Sequence, residues 1–572
     1  MAAFERSSCA ALLAALLIGV GGSASATAWE KVAAEGEASP EGRPYGALLL
    51  ASRIADDGAV SFADVPYSPL PNPPVFALWR WPDAGGVEPL ATIQEPIGNG
   101  NWRWPGLVAN RAGDLAVRSG RAVVLLDCGM GETSEQAREF LRLLPRGGDL
   151  ALVAATGEPA PGEPGLTLAR LLAPAFPSFP GRPFAAPSLL LGEDGTPFFG
   201  AEVADDPCFV DGAHADFVRA LFAPDGAGAT LPIALEGEPL PGASGDETLR
   251  LESVQLAEAG PGALLVHTDF DDPSVPTAGV ALLRWAPLAG GLETLARSDE
   301  PSAWLGGAWL ASFSEPRTSP GGVVALGGVR DESEPWPLAG RNGIWVGDAD
   351  GLEEVVPLAG PVPGGPEGAE FVPLSFVFSA PLVNDAGEIA FAAPFRPAPA
   401  AAPTSGVFAP GPGGSPVLRI TIGDPAPGAG GLLFGSLSPL HLAPNGDLLV
   451  LALLSELPPI ATENAERAWY LVPRSGPPVL LLRESDEIEL GPGDVRSLEY
   501  AGVAYDDALT RIAVRVGVIG LAPEVIAVRP VPEPCAPLAG AGAVIALGLL
   551  ASRRARRLPI RTQCRVRPSS GS

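Results

Sequence analysis

Carboxylates supply most of the chemistry that this sequence could perform. Asp and Glu outnumber Lys and Arg by 66 to 37 in 572 residues, for a formal charge of −29. They bunch along the chain: Asp205, Asp206, Asp211 and Asp216, then Asp269, Asp271 and Asp272, then Asp331, Glu332 and Glu334, then Glu456, Glu463 and Glu466. On loops outside a cell such clusters would suit Ca²⁺, a hard cation that takes about six to eight oxygens from flexible segments. No D-x-D-x-D-G loop accompanies them, and a solvated acidic rim that keeps an apolar chain soluble is the simpler account. No other cofactor is expected. His214 and His267 fall in adjacent acidic loops, an arrangement that would suit a transition metal, but there are 3 histidines in all and no H-E-x-x-H helix. Cys128 and Cys208 lie in insertions of neighbouring units, where an oxidising compartment would favour a disulfide.

Nucleophilic catalysis finds little support. There is no G-x-S-x-G elbow, and the Gly411 to Gly414 piece lacks the Lys and Ser/Thr of a phosphate loop. A glycosidase-like acid and base are set by spacing in the fold rather than by motif, so a carbohydrate-active protein with two loop carboxylates stands as the alternative to a non-enzymatic one. The negative charge argues against a nucleic-acid partner, which needs clustered Lys and Arg. Tryptophans at strand positions, such as Trp79, Trp81, Trp285 and Trp345, fit core packing better than a sugar platform.

What must position these groups is a repeat. With 71 Gly and 65 Pro, many short strands joined by turns are expected rather than long helices. The clearest unit is PLVNDAGEIAF, Pro381 to Phe391, an apolar run, an Asn-Asp-Ala-Gly turn and a second apolar run, which is a β-hairpin signal. Aligning the turn glycine gives Gly58, Gly113, Gly195, Gly262, Gly322, Gly387 and Gly446, spaced 55, 82, 67, 60, 65 and 59 residues apart. A degenerate copy lies at Asp506-Asp507-Ala508. A second motif keeps step: Gly157 to Gly162, Gly237 to Gly242, Gly360 to Gly364 and Gly423 to Gly428, each Gly-x-Pro-x-Pro-Gly or close to it. Proline cannot donate to a ladder, so each copy ends one strand and opens a longer crossing. A third piece, such as Phe76 to Trp81 or Trp469 to Val472, supplies another strand.

Four antiparallel strands per unit of about sixty residues is the grammar of a β-propeller blade. Trp29 to Ala34 reads as a lone fourth strand, while the C-terminal end offers three (Ser497 to Ala504, Arg511 to Val516, Glu524 to Val528). The N-terminal strand would therefore complete the last blade, giving an all-β, eight-bladed propeller over residues 29–530, with seven blades the main alternative. Turns would share one face and the variable, acidic loops the other.

The ends read as processing signals. Residues 1–28 carry Arg6, an apolar run from Cys9 and small residues around Ala26 and Ala28, the order of a secretory signal peptide. Residues 531–557 hold Pro532, Glu533 and Pro534, an apolar stretch from Ala536 to Ala551 that can just span a thin bilayer as a helix, and a basic stop of Arg553, Arg554, Arg556 and Arg557. A basic tail, 558–572, follows.

The tripartite C-terminal pattern resembles the PEP-CTERM sorting signal, matched at Pro532, Glu533 and Pro534. That resemblance implies processing by an exosortase-like membrane enzyme. The repeat resembles that of secreted NxxGxxAF tandem-repeat proteins. Asn384, Gly387, Ala390 and Phe391 match in full, and Asn110, Gly113 and Ala116 in part. Together these imply an exported chain at the cell surface, anchored by the C-terminal helix at least transiently or released. It would serve as a binding or matrix-associated module for an extracellular polysaccharide or an envelope protein.

Overall fold

The computed structural model describes residues 29–54, 58–65, 75–82, 85–94, 106–108, 122–128, 138–144, 151–155, 157–171, 189–191, 197–205, 218–224, 230–243, 245–260, 263–273, 279–286, 291–298, 300–330, 341–358, 360–372, 380–456, 465–484, 486–491, 494–498, 502–517 and 525–531. Seven sheets are each built from consecutive strands: A (47–94), B (106–155), C (167–235), D (248–297), E (301–357), F (370–421) and G (433–483). Each is an antiparallel meander, its first strand paired with the second, the second with the third and the third with the fourth. A further sheet, H, takes three strands from the C-terminal part, Gly502–Tyr505, Arg511–Val516 and Val525–Pro530. Its fourth strand is Glu30–Ala34, which pairs antiparallel with Val525–Pro530 from Glu30↔Val528 to Ala34↔Val525. The expected union of the two ends of the chain is thus present.

First strands touch one another in turn, from A to B, B to C and onward to G. The circuit continues where the His441 ring of G lies 5.2 Å from the Tyr505 ring of H. It returns to A through a parallel bridge, Arg53↔Tyr505. The protein is an all-β propeller, and among the described residues the helical content is a single 3₁₀ turn, Ala303–Leu305. No helix among them is long and apolar enough to cross a membrane. The apolar stretch 536–551, with the sorting and stop residues flanking it, lies outside the described residues, as does the signal segment 1–28.

The core lies in wedges between neighbouring sheets. Phe198 of C meets Trp285 of D edge-on at 5.7 Å, and Leu282 of D packs in one cluster with Trp345 of E. Strands in the middle of a sheet are therefore covered on both faces, as in Pro197–Ala204, where alternation gives way to a buried run. Outer strands such as Gly351–Pro357 keep an exposed face. This explains why central strands read as continuous apolar segments in the sequence. Trp79, Trp81, Trp285 and Trp345 are all buried, in agreement with a packing role.

Three expectations need correction. The Gly-Pro motif does not open a long crossing: it folds into a compact turn that clasps the next sheet. In the copy at 157–162, Gly157 N–H donates to Leu168 O and Leu168 N–H to Glu158 O, with Pro159 bridged to Thr167. Its glycines sit at φ +82° and +77°, a region an L side chain enters only with strain, which is why the motif starts and ends in glycine. Ser497 to Ala504 is not one strand, because Asp494–Ser497 pairs back on Glu487–Gly491 as a separate hairpin. Finally, Asp269, Asp271 and Glu466 belong to strands rather than loops, within Ala263–Asp271 and Glu466–Val472. Strand length there follows ladder pairing with Thr248–Gly260 and Leu448–Ser455, which extends to the charged residues at the strand ends.

First strands are interrupted in several sheets. In C, Thr167–Leu171 and Leu189–Leu191 both pair with Pro197–Ala204. In E, the break falls between Ala308–Phe313 and Arg317–Thr318. In F it falls between Glu370–Phe371 and Leu382–Val383. Breaks of this kind re-aim side chains, and those in E and F lie beside a region where polar groups from several sheets converge.

Candidate functional site

The corner between first and second strands is built by side-chain capping. Asn384 Oδ1 accepts from the N–H groups of Ala386 (3.1 Å) and Glu388 (3.0 Å). Its Nδ2 donates to Glu388 Oε2 at 3.1 Å and across to the Ala443 carbonyl of the next corner at 3.2 Å. Gly387 supplies φ +73°, Ala390 is fully buried, and Phe391 stacks on Phe408 at 4.9 Å. Every matched position of the repeat thus has a structural task. Replacing Asn384 by Ala should destabilise the fold by about 2–3 kcal/mol, since it leaves two corner N–H groups without their acceptor and removes one of the two donors to the Ala443 carbonyl, which keeps Gly446 N–H. Urea unfolding reads this directly, and a loss under about 0.5 kcal/mol would contradict the capping role.

Gly58, Gly322 and Gly446 hold equivalent conformations, at φ +80°, +83° and +86°. In the degenerate copy Leu509 takes that place at φ +52°. Asp506 substitutes for the asparagine there, accepting from Thr510 N–H at 2.7 Å and Arg511 N–H at 3.0 Å.

Four successive corners, those of E, F, G and H, enclose a pocket of about 660 Å³ with its open mouth included. Its polar lining is Arg317 and Thr318 from E, Asn384 and Asp385 from F, His441 from G and Asp507 from H. Leu382, Leu440 and Leu442 supply apolar wall. Asp385 Oδ1 accepts from Gly321 N–H at 2.6 Å, tying the E and F corners. His441 Nε2 lies 2.8 Å from the Asp507 carbonyl oxygen, so this nitrogen carries the proton and donates. Thr318 is 3% exposed, and its hydroxyl lacks a partner, as does Arg317 Nε.

Behind Arg317 stands a relay from sheet D. Arg317 Nη2 donates to Glu315 Oε2 at 3.2 Å, and Gln255 Nε2 donates to the other oxygen of the same carboxylate. Burial pushes the Glu315 carboxyl above its usual range, against the lowering effect of Arg317 and Gln255. This arrangement fixes the guanidinium at the pocket edge.

His267 was expected in a loop, among acidic residues. It sits instead inside Ala263–Asp271, buried, with Nε2 3.4 Å from the Phe313 carbonyl and its ring edge-on to Phe313 at 5.5 Å. Burial holds its pKa below 6.5, opposed by the bond to Phe313 and the charge of Asp269. The folded chain then binds fewer protons at this site than the unfolded chain once pH drops past 6.5, so stability should fall on acidification through that window. His267→Leu should flatten the decline between pH 7 and pH 5 in thermal melts. An unchanged slope would count against it.

Of the other sequence-derived candidates, Cys128 ends the strand Ala122–Cys128, while Cys208, His214, Asp206, Asp211, Asp216, Asp331, Glu332, Glu334 and Glu463 lie outside the described residues, as do Gly113, Gly195 and Gly262. Among the described residues no group of three or more His, Cys, Asp or Glu side chains is placed to hold a metal ion. The pocket residues Arg317, Thr318, His441 and Asp507 escaped sequence reasoning. The available signal was positional: each stands at or beside the corner that ends a first strand, the place that Asn384 and Asp385 hold in the best-matched repeat.

The family model described as a family of unknown function, DUF7453, matches residues 22–418 and 341–511. No curated protein matches the chain. Among solved structures, the Dos1 propeller is similar at 8% identity and TM-score 0.35, covering 87% of this chain and 94% of that one. An α-L-arabinanase of Penicillium chrysogenum, complexed with arabinobiose, is similar at 11% identity and TM-score 0.26, with 66% and 97% covered. The exo-β-1,3-galactanase 1,3Gal43A of Clostridium thermocellum is similar at 12% identity and TM-score 0.25, with 76% and 88% covered. At these scores no activity carries across.

Proposed function

Given that the chain belongs to the family of unknown function DUF7453, we propose that it is an exported, surface-anchored or matrix-associated binding module. In this reading it is an eight-bladed propeller that holds its ligand at the corner mouth. The blade count rests on seven sheets of consecutive strands together with sheet H, which borrows Glu30–Ala34 from the other end of the chain. Export and anchoring rest on the signal-like residues 1–28 and on the Pro532-Glu533-Pro534, apolar and arginine-rich segments. The mass of the mature protein from cells tests both processing sites together. Retention of residues 1–28 would refute export.

The observation that carries the binding reading is the convergence of polar side chains from four consecutive corners into one pocket. A rigid scaffold presenting convergent polar groups beside apolar wall is the usual form of a ligand site. The glycan-cleaving alternative draws on two carboxylates, Asp385 and Asp507, lining that same pocket. Incubating the purified full chain with polysaccharides separates the two. Retention without release of reducing ends supports a binder, and turnover abolished by Asp507→Asn would make it a hydrolase.

A further inference from the structure

We propose that Asn445 is a modification site: the folded chain loses its side-chain amide spontaneously, leaving aspartate or isoaspartate at the corner of sheet G. Two Asn-Gly pairs lie among the described residues, Asn342-Gly343 and Asn445-Gly446. A glycine after asparagine carries no Cβ to hinder its own nitrogen, so that nitrogen can reach the amide carbon of the asparagine side chain. The fold gives the two pairs opposite fates.

Asn445 is exposed at the tip of the corner between Leu433–Leu442 and Leu448–Ser455. Its Oδ1 accepts from Asp447 N–H at 2.9 Å, an Asx turn that folds the side chain forward along the Gly446 peptide. That bond draws electron density from Cγ, the atom to be attacked. Nδ2, the leaving nitrogen, donates to Asp447 Oδ2 at 3.0 Å. Gly446 N–H donates to Ala443 O at 2.9 Å, and this bond must open first. Opening one hydrogen bond at an exposed tip costs far less than opening a ladder. Asn342 faces the second cost: it is 1% exposed on Arg341–Asp348, paired with Val329, while Gly343 is held between Gly328 and Pro357.

In the reaction Gly446 N bonds to Asn445 Cγ, the Cγ–Nδ2 bond breaks, and the amide nitrogen leaves as ammonia with the proton given up by Gly446 N. Water then opens the cyclic imide. Attack at Cγ gives aspartate, whereas attack at the Asn445 main-chain carbonyl gives isoaspartate and adds a methylene to the backbone. Isoaspartate displaces Gly446 N–H from Ala443 O, the carbonyl that Asn384 Nδ2 also holds from the corner of F at 3.2 Å. The corner of G therefore loosens as the chain ages.

The test incubates the purified full chain in mildly alkaline buffer, native and in urea, and follows both Asn-Gly peptides by mass spectrometry with isoaspartate labelled by a methyltransferase. Amide loss in the native chain should be at least about tenfold faster at Asn445 than at Asn342, and the two rates should converge in urea, where neither pair is held. Asn445→Gln, which would have to close a larger ring, should stay unmodified. Hydrogen exchange of the aged chain should show protection lost at residues 443–447 and kept in sheet D. Equal native rates at the two pairs, or conversion of Asn445 in urea alone, would overturn the site. Isoaspartate at 445 with unchanged exchange at 443–447 would overturn the loosening.

Discussion

Asp64→Ala should be among the most damaging single substitutions in the propeller, at about 3–5 kcal/mol. Asp64 is completely buried on Val60–Val65 of sheet A. Arg43 grips it with both terminal nitrogens, at 2.7 and 2.9 Å. Trp79 Nε1 donates to the same carboxylate at 2.8 Å, and the Gly46 N–H approaches at 3.4 Å. The guanidinium lies 5.4 Å from the centroid of the Trp79 ring, and Tyr45 meets that ring edge-on, also at 5.4 Å. Burial, helped by the charge of Asp64, pushes the Tyr45 hydroxyl up to about 12.

Alanine at 64 strands a part-buried cation and a buried indole N–H together, and the cost of both falls on the folded state alone. Asp64→Asn keeps an oxygen for Trp79 and should cost less, about 2 kcal/mol. Urea unfolding of the two variants checks the order. A loss below about 1 kcal/mol for Asp64→Ala would show that the pair does not hold the sheet.

The second large effect is expected at the seam between the ends of the chain. Ala33 is 2% exposed and faces Ile526 across the ladder that joins Glu30–Ala34 to Val525–Pro530. Ala33→Asp places an unpaired carboxylate in that seam, at a cost of about 3 kcal/mol or more. Losing the strand would leave Val525–Pro530 as a bare edge, open to pairing with other chains. Hydrogen exchange should show residues 525–530 losing protection first, with sheets D to F little changed. Ala33→Val, which keeps the strand apolar, serves as the control. Unchanged protection at 525–530 in the aspartate variant would mean that the seam is not what closes the ring.

What the sequence determined by itself was the local grammar. Turn chemistry is written in adjacent residues, so the corners at Gly58, Gly322, Gly387 and Gly446 and the strands that flank them were legible from residue type and spacing. So was the pairing of the two ends, because an unpartnered fourth strand at one terminus answered a missing fourth strand at the other. The fate of the Gly-Pro motif was half legible: its prolines marked strand ends, while its hydrogen bonds to the following sheet depended on where that sheet came to lie.

Only the tertiary structure decided which side chains share a space. His267 reads as a polar residue among aspartates, and ladder pairing alone turns it inward against Phe313. Arg317, Asp385, His441 and Asp507 are each about sixty residues from the next, and no local pattern links them. They meet because each ends the first strand of its sheet, and the stacking of successive sheets around an axis brings those ends together. Residue spacing encodes the corner, whereas the convergence of corners is a property of packing between sheets, fixed by the apolar wedges that set one blade against the next.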